Sequence, residues 1–535
     1  MEEFEKEKIQ EDVVEKRKKK IVESVKKWLE DPSNAIFIAI LIFSFAVRLY
    51  YFYITKSQAV WWDEGEYLLK ANNVAFGTPD TGWWVGRPVL FPLIAALFFK
   101  LGLGEISVRF FWVLLSTANI VLVFLVAKRL FNKRVALISS FLFSVFYLDL
   151  FYTVRFLVDM PQIFFISLAA YLFVEGYFIG NNKKVAWFIL PVLVVGILLR
   201  FTVGIFLISM FLFLLITERL RFLKDKRVLV SILLGILFYL PYAVYSFIKF
   251  KNPIYVIMYV LGTSDVGRPE GVSRFSIFVD YISYFPSYMH LLLTLAFLFG
   301  LGILLFNLFI GFDTVLKGSK KNQTYLLLFL WILFPLIYFG FFVNHFEDRY
   351  IFMIFPAVFM ITGLGLDHVY NYIKKYNKMV AAIIVIIVLA YGGYLMLVGA
   401  DAIIKDKVPT YRDLKEAGLW LEQNSDKNDV IIAGNVNLAG DPLLTGGYPQ
   451  LVYYSKRAIY RNVADLDKEI ALIKEKNAKY LVVTSWERSP QWLIDYLSEE
   501  QPYFIPVYQS TTPYHGTQNF AVVYSINHTA IEESA

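Results

Sequence analysis

The run NAIFIAILIFSFAVRLYYFYI, residues 34–54, is followed at 61–67 by WWDEGEY. The first stretch is about 20 residues of apolar chain, enough to cross a bilayer core about 30 Å thick. The second places three carboxylates directly after it. Working outward, apolar runs of similar length recur at 106–127, 134–149, 160–179, 185–200, 203–218, 228–248, 287–310, 324–343, 350–370 and 379–399. That pattern predicts a polytopic α-helical membrane protein with about 11 transmembrane helices. Composition agrees: 57% of the 535 residues are hydrophobic and only 18% are charged, against about 25% charged in ordinary soluble domains.

Loop charge predicts the orientation. With the N-terminus in the cytoplasm, the loops 128–134, 181–184, 219–227, 317–321 and 374–378 all face inward, and all carry clustered Lys or Arg, as the positive-inside rule requires. The net charge of +7 is therefore a topological signal, and nucleic acid is not an expected partner. Residues 1–34 are Lys-rich and lack a cleavable signal's short apolar core. They read as a cytoplasmic basic segment, helical and amphipathic. Residues 35–400 form the membrane domain. Its first external loop, 55–105, carries Trp61, Trp62, Trp83 and Trp84 and a short apolar run at 89–99, read as an interfacial or re-entrant helix. A second long external segment, 250–285, holds GTSDVGRPEGVS at 262–273. From 401 to 535 the apolar runs shrink to VIIAG at Val430, YLVVT at Tyr480 and FAVVYSI at Phe520, with helical patterns at 413–423, 465–476 and 490–499. Alternating strands and helices predict a small C-terminal extracytoplasmic α/β domain. Cysteine is absent, which excludes disulfides and thiol chemistry. The plasma membrane is the expected location.

Two sets of polar residues stand at the expected outer rim. Asp63, Glu64 and Glu66 follow the first span, where a carboxylate shielded by aromatic rings can act as general base. Asp63 shares a helical face with Glu66 and Tyr67. Arg87, Arg155 with Asp159, Arg200, and Arg349 with Tyr350 sit at span boundaries on the same side. A lone boundary arginine ordinarily snorkels to the headgroups. Several on the face that the positive-inside rule disfavours call for an anionic partner, and phosphate suits the guanidinium fork.

These pieces, in this order, resemble the GT-C class of membrane glycosyltransferases. The set is Asp63-Glu64-x-x-Tyr67, Arg87-Pro88, Arg109 opening the next span, Arg155-x-x-x-Asp159, Arg200 near Gly204, and Arg349-Tyr350 with Pro356. It is similar to the protein O-mannosyltransferase and aminoarabinose transferase group, over most of the chain to about residue 400. The resemblance implies a polyprenyl-phosphate (dolichyl-phosphate-type) sugar donor, an external protein, lipid or glycan acceptor, and inversion at the anomeric carbon. It implies Asp63 as base, with Glu64, Tyr67, Arg87, Arg155, Asp159, Arg200, Arg349 and Tyr350 around donor and phosphate. Two departures touch the donor contacts. Arg87-Pro88-Val89 stands where the family often has Lys-Pro-Pro, and Arg200 where it has Lys.

The residue types suit that chemistry. A sugar phosphate carries its own leaving group, cations stabilise the charge released, and one carboxylate deprotonates the acceptor. A retaining route would need a second carboxylate about 5 Å away, and Glu64 and Glu66 keep it open. No cofactor is required. For a divalent metal the candidates are Glu66 and His345, which lack a ligand spacing such as His-x-x-x-His. WWDEG is similar to the Trp-Trp-Asp-x-Gly motif of oligosaccharyltransferases, but that motif belongs to their C-terminal domain and here it stands in the first loop. A transporter or flippase of lipid-linked or small solutes is the rival class. It usually sets its ionisable groups near the midplane and carries internal repeats. A non-catalytic scaffold is the third class.

Overall fold

The computed structural model describes residues 19, 23, 26–80, 87–180, 182–255, 258, 273–343, 345–434, 448–486, 489–499 and 502–533. Most of the basic head, Trp83 and Trp84, the segment 262–272 and residues 441–447 of DPLLTGGY lie outside that set.

Among the described residues, eight helices are long and apolar enough to cross a membrane. A ninth arises if Lys133–Ser144 and Tyr147–Thr153, bent by 53° to each other, count as one span. The expected spans at 185–200 and 203–218 form shorter helices, Ile189–Leu199 of 11 residues and Val203–Glu218 of 16. The chain is a polytopic helical membrane protein, and a count of eleven needs both short helices to cross.

Seven helices lead to the site. The first, α1 (Pro32–Thr55), starts where the Asp31 carboxylate accepts from the Ser33 N–H at 3.0 Å and Pro32 opens the first turn. Next, α2 (Trp62–Phe76) carries the acidic motif and stops at Gly77, whose φ of 71° suits glycine. The short apolar run becomes α3 (Leu90–Lys100), which packs on α2. Then follow α4 (Glu105–Leu130), α5 (Lys133–Ser144), α6 (Tyr147–Thr153) and α7 (Asp159–Phe173).

The α5–α6 bend is fixed by a buried polar knot. Arg48 on α1 and Asp149 on α6 are both fully buried and form an ion pair. Ser116 on α4 donates to Asp149 at 2.6 Å and accepts from Arg48 at 2.7 Å. Arg48 also donates to the Ser144 carbonyl at 3.0 Å, at the end of α5. Buried charges are tolerated where they are paired and hydrogen-bonded. Here the knot ties four helices together, α1, α4, α5 and α6, next in the chain to the residue 154–158 turn.

The C-terminal domain is a five-stranded sheet, in order β2-β1-β3-β5-β4. The expected strands are β1 (Val430–Ala433), β3 (Ala478–Thr484) and β5 (Thr517–Ile526). Two more were not foreseen: β2 (Ala458–Tyr460) and β4 (Phe504–Tyr514). Both are edge strands, and β4 keeps Pro506 and Pro513 because an edge tolerates missing donors. The three expected helices form as Arg412–Asn424, Leu466–Lys476 and Gln491–Ser498. Within the segment expected as a loop at 250–285, Arg274–Ser283 is helical and packs on Lys320–Phe342.

The domain seats directly on α2. Leu69 shares a core with Leu414, Tyr448 and Val452. Tyr454 Oη accepts from the Val60 N–H at 2.9 Å, Tyr453 Oη donates to Glu105 at 3.0 Å, and Lys415 Nζ donates to the Ser57 carbonyl at 2.9 Å. A Cβ on Gly65 would lie 3.0 Å from Gln450 N and 3.1 Å from Pro449 C. The glycine of WWDEGEY is therefore explained by the close approach of Pro449–Ser455.

Candidate functional site

Helical periodicity turns Asp63 and Glu64, neighbours in sequence, to different sides of α2. Glu64 goes inward and is fully buried. Its Oε1 accepts from the Phe156 N–H at 2.6 Å. Its Oε2 accepts from the Trp61 N–H at 2.8 Å and from Arg155 at 3.2 Å. Arg109 stands 3.6 Å from the same carboxylate and pairs with Glu105 at 2.7 Å. The Arg155 guanidinium lies flat over Trp61 at 3.6 Å, a cation–π contact. Glu64 and Arg155, expected beside the donor, are thus sealed under α2, bonded to each other and to backbone, while Arg155 Nε is buried without a hydrogen-bond partner. As placed, they anchor the motif to the 154–158 turn and stand outside the lining of the cavity that Asp63 faces.

Asp63 goes outward and is 30% exposed, so a bound molecule can reach it. Oδ1 accepts from Arg87 Nη2 and Oδ2 from Arg349 Nη1, each at 2.9 Å. Arg87 also pairs with Glu66 at 2.8 Å and lies 5.1 Å over the Tyr67 ring. Arg349 holds Glu347 as well. Tyr350 lies 5.9 Å from both the Arg349 and the Arg200 guanidinium groups, and Arg200 bonds Asp159. One network of contacts therefore runs from Arg87 through Asp63, Arg349, Tyr350 and Arg200 to Asp159. It gathers residues from α2, α7 and the turns before α3, after Leu199 and at 348–354.

Charge balance sets the ionisation here. Burial raises the Asp63 carboxyl, but Arg87 and Arg349 outweigh it and hold the group below the ordinary carboxylate range. Burial wins at Glu66: its carboxyl is raised despite Arg87, with the Asp63 charge adding to the rise. Burial also pushes the Tyr67 hydroxyl up to about 12.

One cavity opens on this network, and a separate groove lies on the other side of α2 and α3. The first, about 400 Å³, is walled by Trp61, Trp62, Asp63 and Arg349, and on the C-terminal side by Lys407, Thr410 and Tyr411. The second, about 620 Å³, is an apolar groove between α2, α3, Ile189–Leu199 and Lys226–Phe250, lined by residues such as Val89, Leu198 and Tyr242, with Lys70 and Lys249 as its basic members. Val89 and Leu90 on its wall follow Arg87 by two and three residues in the chain.

The metal candidates are engaged elsewhere. Glu66 holds Arg87 and Trp62, while His345 lies 2.9 Å from the Tyr350 hydroxyl and 3.2 Å from Glu347. Among the described residues no group of three or more His, Asp or Glu is arranged to hold a metal ion. Sequence reasoning missed Glu347, Lys407, Thr410 and Tyr411. The three C-terminal ones sit just past the last long apolar run, where no motif marks them.

Residues 86–245 match the family described as dolichyl-phosphate-mannose-protein mannosyltransferase. An uncharacterised protein of Aquifex aeolicus is 29% identical over 201 residues, 36% of this chain and 40% of that one, so the match spans well under half of the relative. The structure of ArnT from Cupriavidus metallidurans bound to undecaprenyl phosphate superposes with a TM-score of 0.61, at 12% identity, over 93% of this chain and 98% of that one. The archaeal oligosaccharyltransferase AglB from Archaeoglobus fulgidus, in complex with an inhibitory peptide and a dolichol-phosphate, gives 0.55 at 12% identity, over 90% of this chain and 74% of that one. The chain has the fold of these membrane proteins and resembles the GT-C glycosyltransferases of the protein mannosyltransferase and ArnT kind.

Proposed function

We infer that this chain, with a GT-C fold and a mannosyltransferase-like segment, is an inverting glycosyltransferase. It moves a sugar from a polyprenyl phosphate to a hydroxyl acceptor on the outer side of the membrane, with Asp63 as the base. The observation that carries the reading is the Asp63 carboxylate, bridged by Arg87 and Arg349 at 2.9 Å each and open to a cavity of about 400 Å³.

The groove of about 620 Å³ walled by Val89 and Leu90 takes the first prenyl units, and Lys70 and Lys249 add positive charge near the headgroup. The phosphate then falls among Arg87, Arg349 and Arg200. Asp63 and the phosphate compete for the same guanidinium groups. Donor binding draws positive charge off Asp63, raises its basicity and leaves an oxygen open to the acceptor. The acceptor hydroxyl oxygen bonds to the anomeric carbon as the bond from that carbon to the phosphate oxygen breaks. The bonding pair leaves on polyprenyl phosphate, where the arginines stabilise it, and the acceptor proton passes to Asp63. Tyr350 borders the sugar, Tyr67 in the core beneath Arg87 holds that guanidinium in place, and Asp159 orients Arg200. Single displacement by Asp63 is supported by the sealing of Glu64 under α2 and by Glu66 standing outside the cavity lining, on which Asp63 and the Arg349-bound Glu347 are the two carboxylates.

The test uses the full chain in lipid nanodiscs with labelled polyprenyl phosphates carrying mannose, glucose or aminoarabinose. Wild type is expected to release polyprenyl phosphate from one of them. Asp63→Asn is expected to slow release by about a hundredfold or more with donor binding retained. Undiminished turnover in Asp63→Asn would remove Asp63 as base, and no turnover of any donor would remove the enzyme assignment.

A further inference from the structure

The C-terminal wall of the catalytic cavity continues into a row of aromatic rings that the transfer chemistry does not use. Tyr411 lines the cavity. Its ring centroid lies 4.5 Å from that of Trp486, which lies 5.7 Å from Tyr514, which lies 4.1 Å from His515. The rings come from three separate places: the turn after Lys378–Lys407, the end of β3 and the β4–β5 hairpin. Tyr411, Trp486 and Tyr514 are all partly exposed, and His515 is 57% exposed.

The row is held in place at some cost. Asp413 is fully buried and accepts from Trp486 Nε1 through both oxygens, at 2.8 and 3.0 Å. That fork fixes the indole plane. Tyr411 has φ 61° and ψ 17°, and His515 has φ 51°. The left-handed region is unfavourable for side chains of this size, and residues held there cluster at binding sites. At His515 this conformation belongs to the two-residue turn His515–Gly516 between β4 and β5, where positive φ is ordinary, so Tyr411 is the ring held against its backbone preference.

Charged groups border it. Lys407, itself on the cavity wall, contacts the Tyr514 hydroxyl and pairs with Asp406 at 3.1 Å. Asp406 also lies 3.1 Å from His515 Nε2. Asp406 and His515 remain substantially exposed, so their polar atoms can also meet solvent or ligand.

We propose that Tyr411, Trp486, Tyr514 and His515 form the acceptor subsite, and that the acceptor is a glycan. This rests on the transferase reading above. The negative face of an aromatic ring attracts the polarised C–H face of a pyranose, while its hydroxyls point sideways. Those hydroxyls need carboxylate, ammonium and imidazole partners at the ring edges, which Asp406, Lys407 and His515 supply. A peptide acceptor would instead pair along a strand edge; β4, which ends at Tyr514, is such an edge, and the peptide arm of the test below discriminates the two. Continuity with the cavity brings one terminal hydroxyl towards Asp63. There the acceptor oxygen joins the anomeric carbon, polyprenyl phosphate departs with the bonding pair, and the proton goes to the carboxylate.

The test compares three probes as acceptors for whichever labelled donor the wild type turns over: methyl α-mannoside, linear mannotriose and a hexapeptide containing Ser and Thr. Transfer to mannotriose with a lower KM than to the monosaccharide is expected, and the peptide is expected to be inert. Trp486→Ala and Tyr514→Ala are expected to raise the mannotriose KM about tenfold with a much smaller change in kcat. Trp486→Phe, which keeps a ring, is expected to recover most of the loss. The proposal fails if the hexapeptide is glycosylated and the saccharides are not. It also fails if the Ala variants reduce kcat with KM unchanged, or if Trp486→Phe is as impaired as Trp486→Ala. Donor consumption by wild type that stops on Asp63→Asn would in each of those cases leave the transferase reading standing.

Discussion

Both oxygens of Asp63 are occupied by guanidinium groups, and that fixes how its activity should depend on pH. Its carboxyl lies below the ordinary range because Arg87 and Arg349 outweigh burial. A base must be ionised, so activity is present above that lowered value and lost as pH falls through it. Arg349→Ala removes one of the two opposing charges and leaves burial in place. The acid limb of kcat/KM is therefore expected to move to higher pH in Arg349→Ala, with a lower plateau from the weakened phosphate site. The pH–rate profiles of the two proteins check this, and coincident limbs would count against Asp63 as the group that titrates. Glu64 shows how far sequence reaches at this scale. The pattern Asp-Glu-x-x-Tyr supplied two adjacent carboxylates, and helix geometry required them to point apart. Only packing against the 154–158 turn, where the Phe156 N–H and Arg155 wait, decided that Glu64 is buried and Asp63 open.

Elements are positioned by buried polar contacts as much as by apolar packing. Arg48 and Asp149 meet across 101 residues of chain, joining α1 to the bent α5–α6 pair. Asp149→Ala leaves a buried guanidinium without its counter-charge and is expected to destabilise the bundle by about 3–5 kcal/mol. The double variant Arg48→Met, Asp149→Leu removes both charges and is expected to recover much of that loss. Melting temperatures in one detergent compare the three proteins, and equal stability of single and double variants would contradict the pairing argument. The sequence showed Arg48 inside an apolar run, but its partner lay too far along the chain for any motif to reveal. Strand prediction divides in the same way. β3 and β5 were legible as runs of Val, Leu and Tyr. β4, with prolines and alternating polar residues, was not, because an edge strand has one partner and need not look like a core strand.

At the scale of the whole molecule, the C-terminal domain completes the site. It closes one wall of the cavity through Thr410 and Tyr411, and it is seated on α2 through Gly65. A side chain there meets backbone of Pro449 and Gln450 within about 3 Å, and neither can retreat without moving Pro449–Ser455. Gly65→Val is expected to lift the domain from α2, to expose the 448–460 region to limited proteolysis and to reduce transfer at least about tenfold while the bundle still folds. Unchanged cleavage and activity would show that the contact is not needed.

The sequence alone determined the membrane character, the helical bundle and the α/β tail, and it put forward Asp63, Glu64, Tyr67, Arg87, Arg155, Asp159, Arg200, Arg349 and Tyr350 as candidates for the site. It could do so because hydrophobic run length and the cost of unpaired charge near lipid act locally and leave marks in any window of chain. Only the tertiary structure decided which of three clustered carboxylates faces the cavity, why Gly65 is glycine, and that Tyr411 and Trp486 continue the site. Those outcomes depend on contacts between segments hundreds of residues apart, whose energies arise on packing and leave no local pattern.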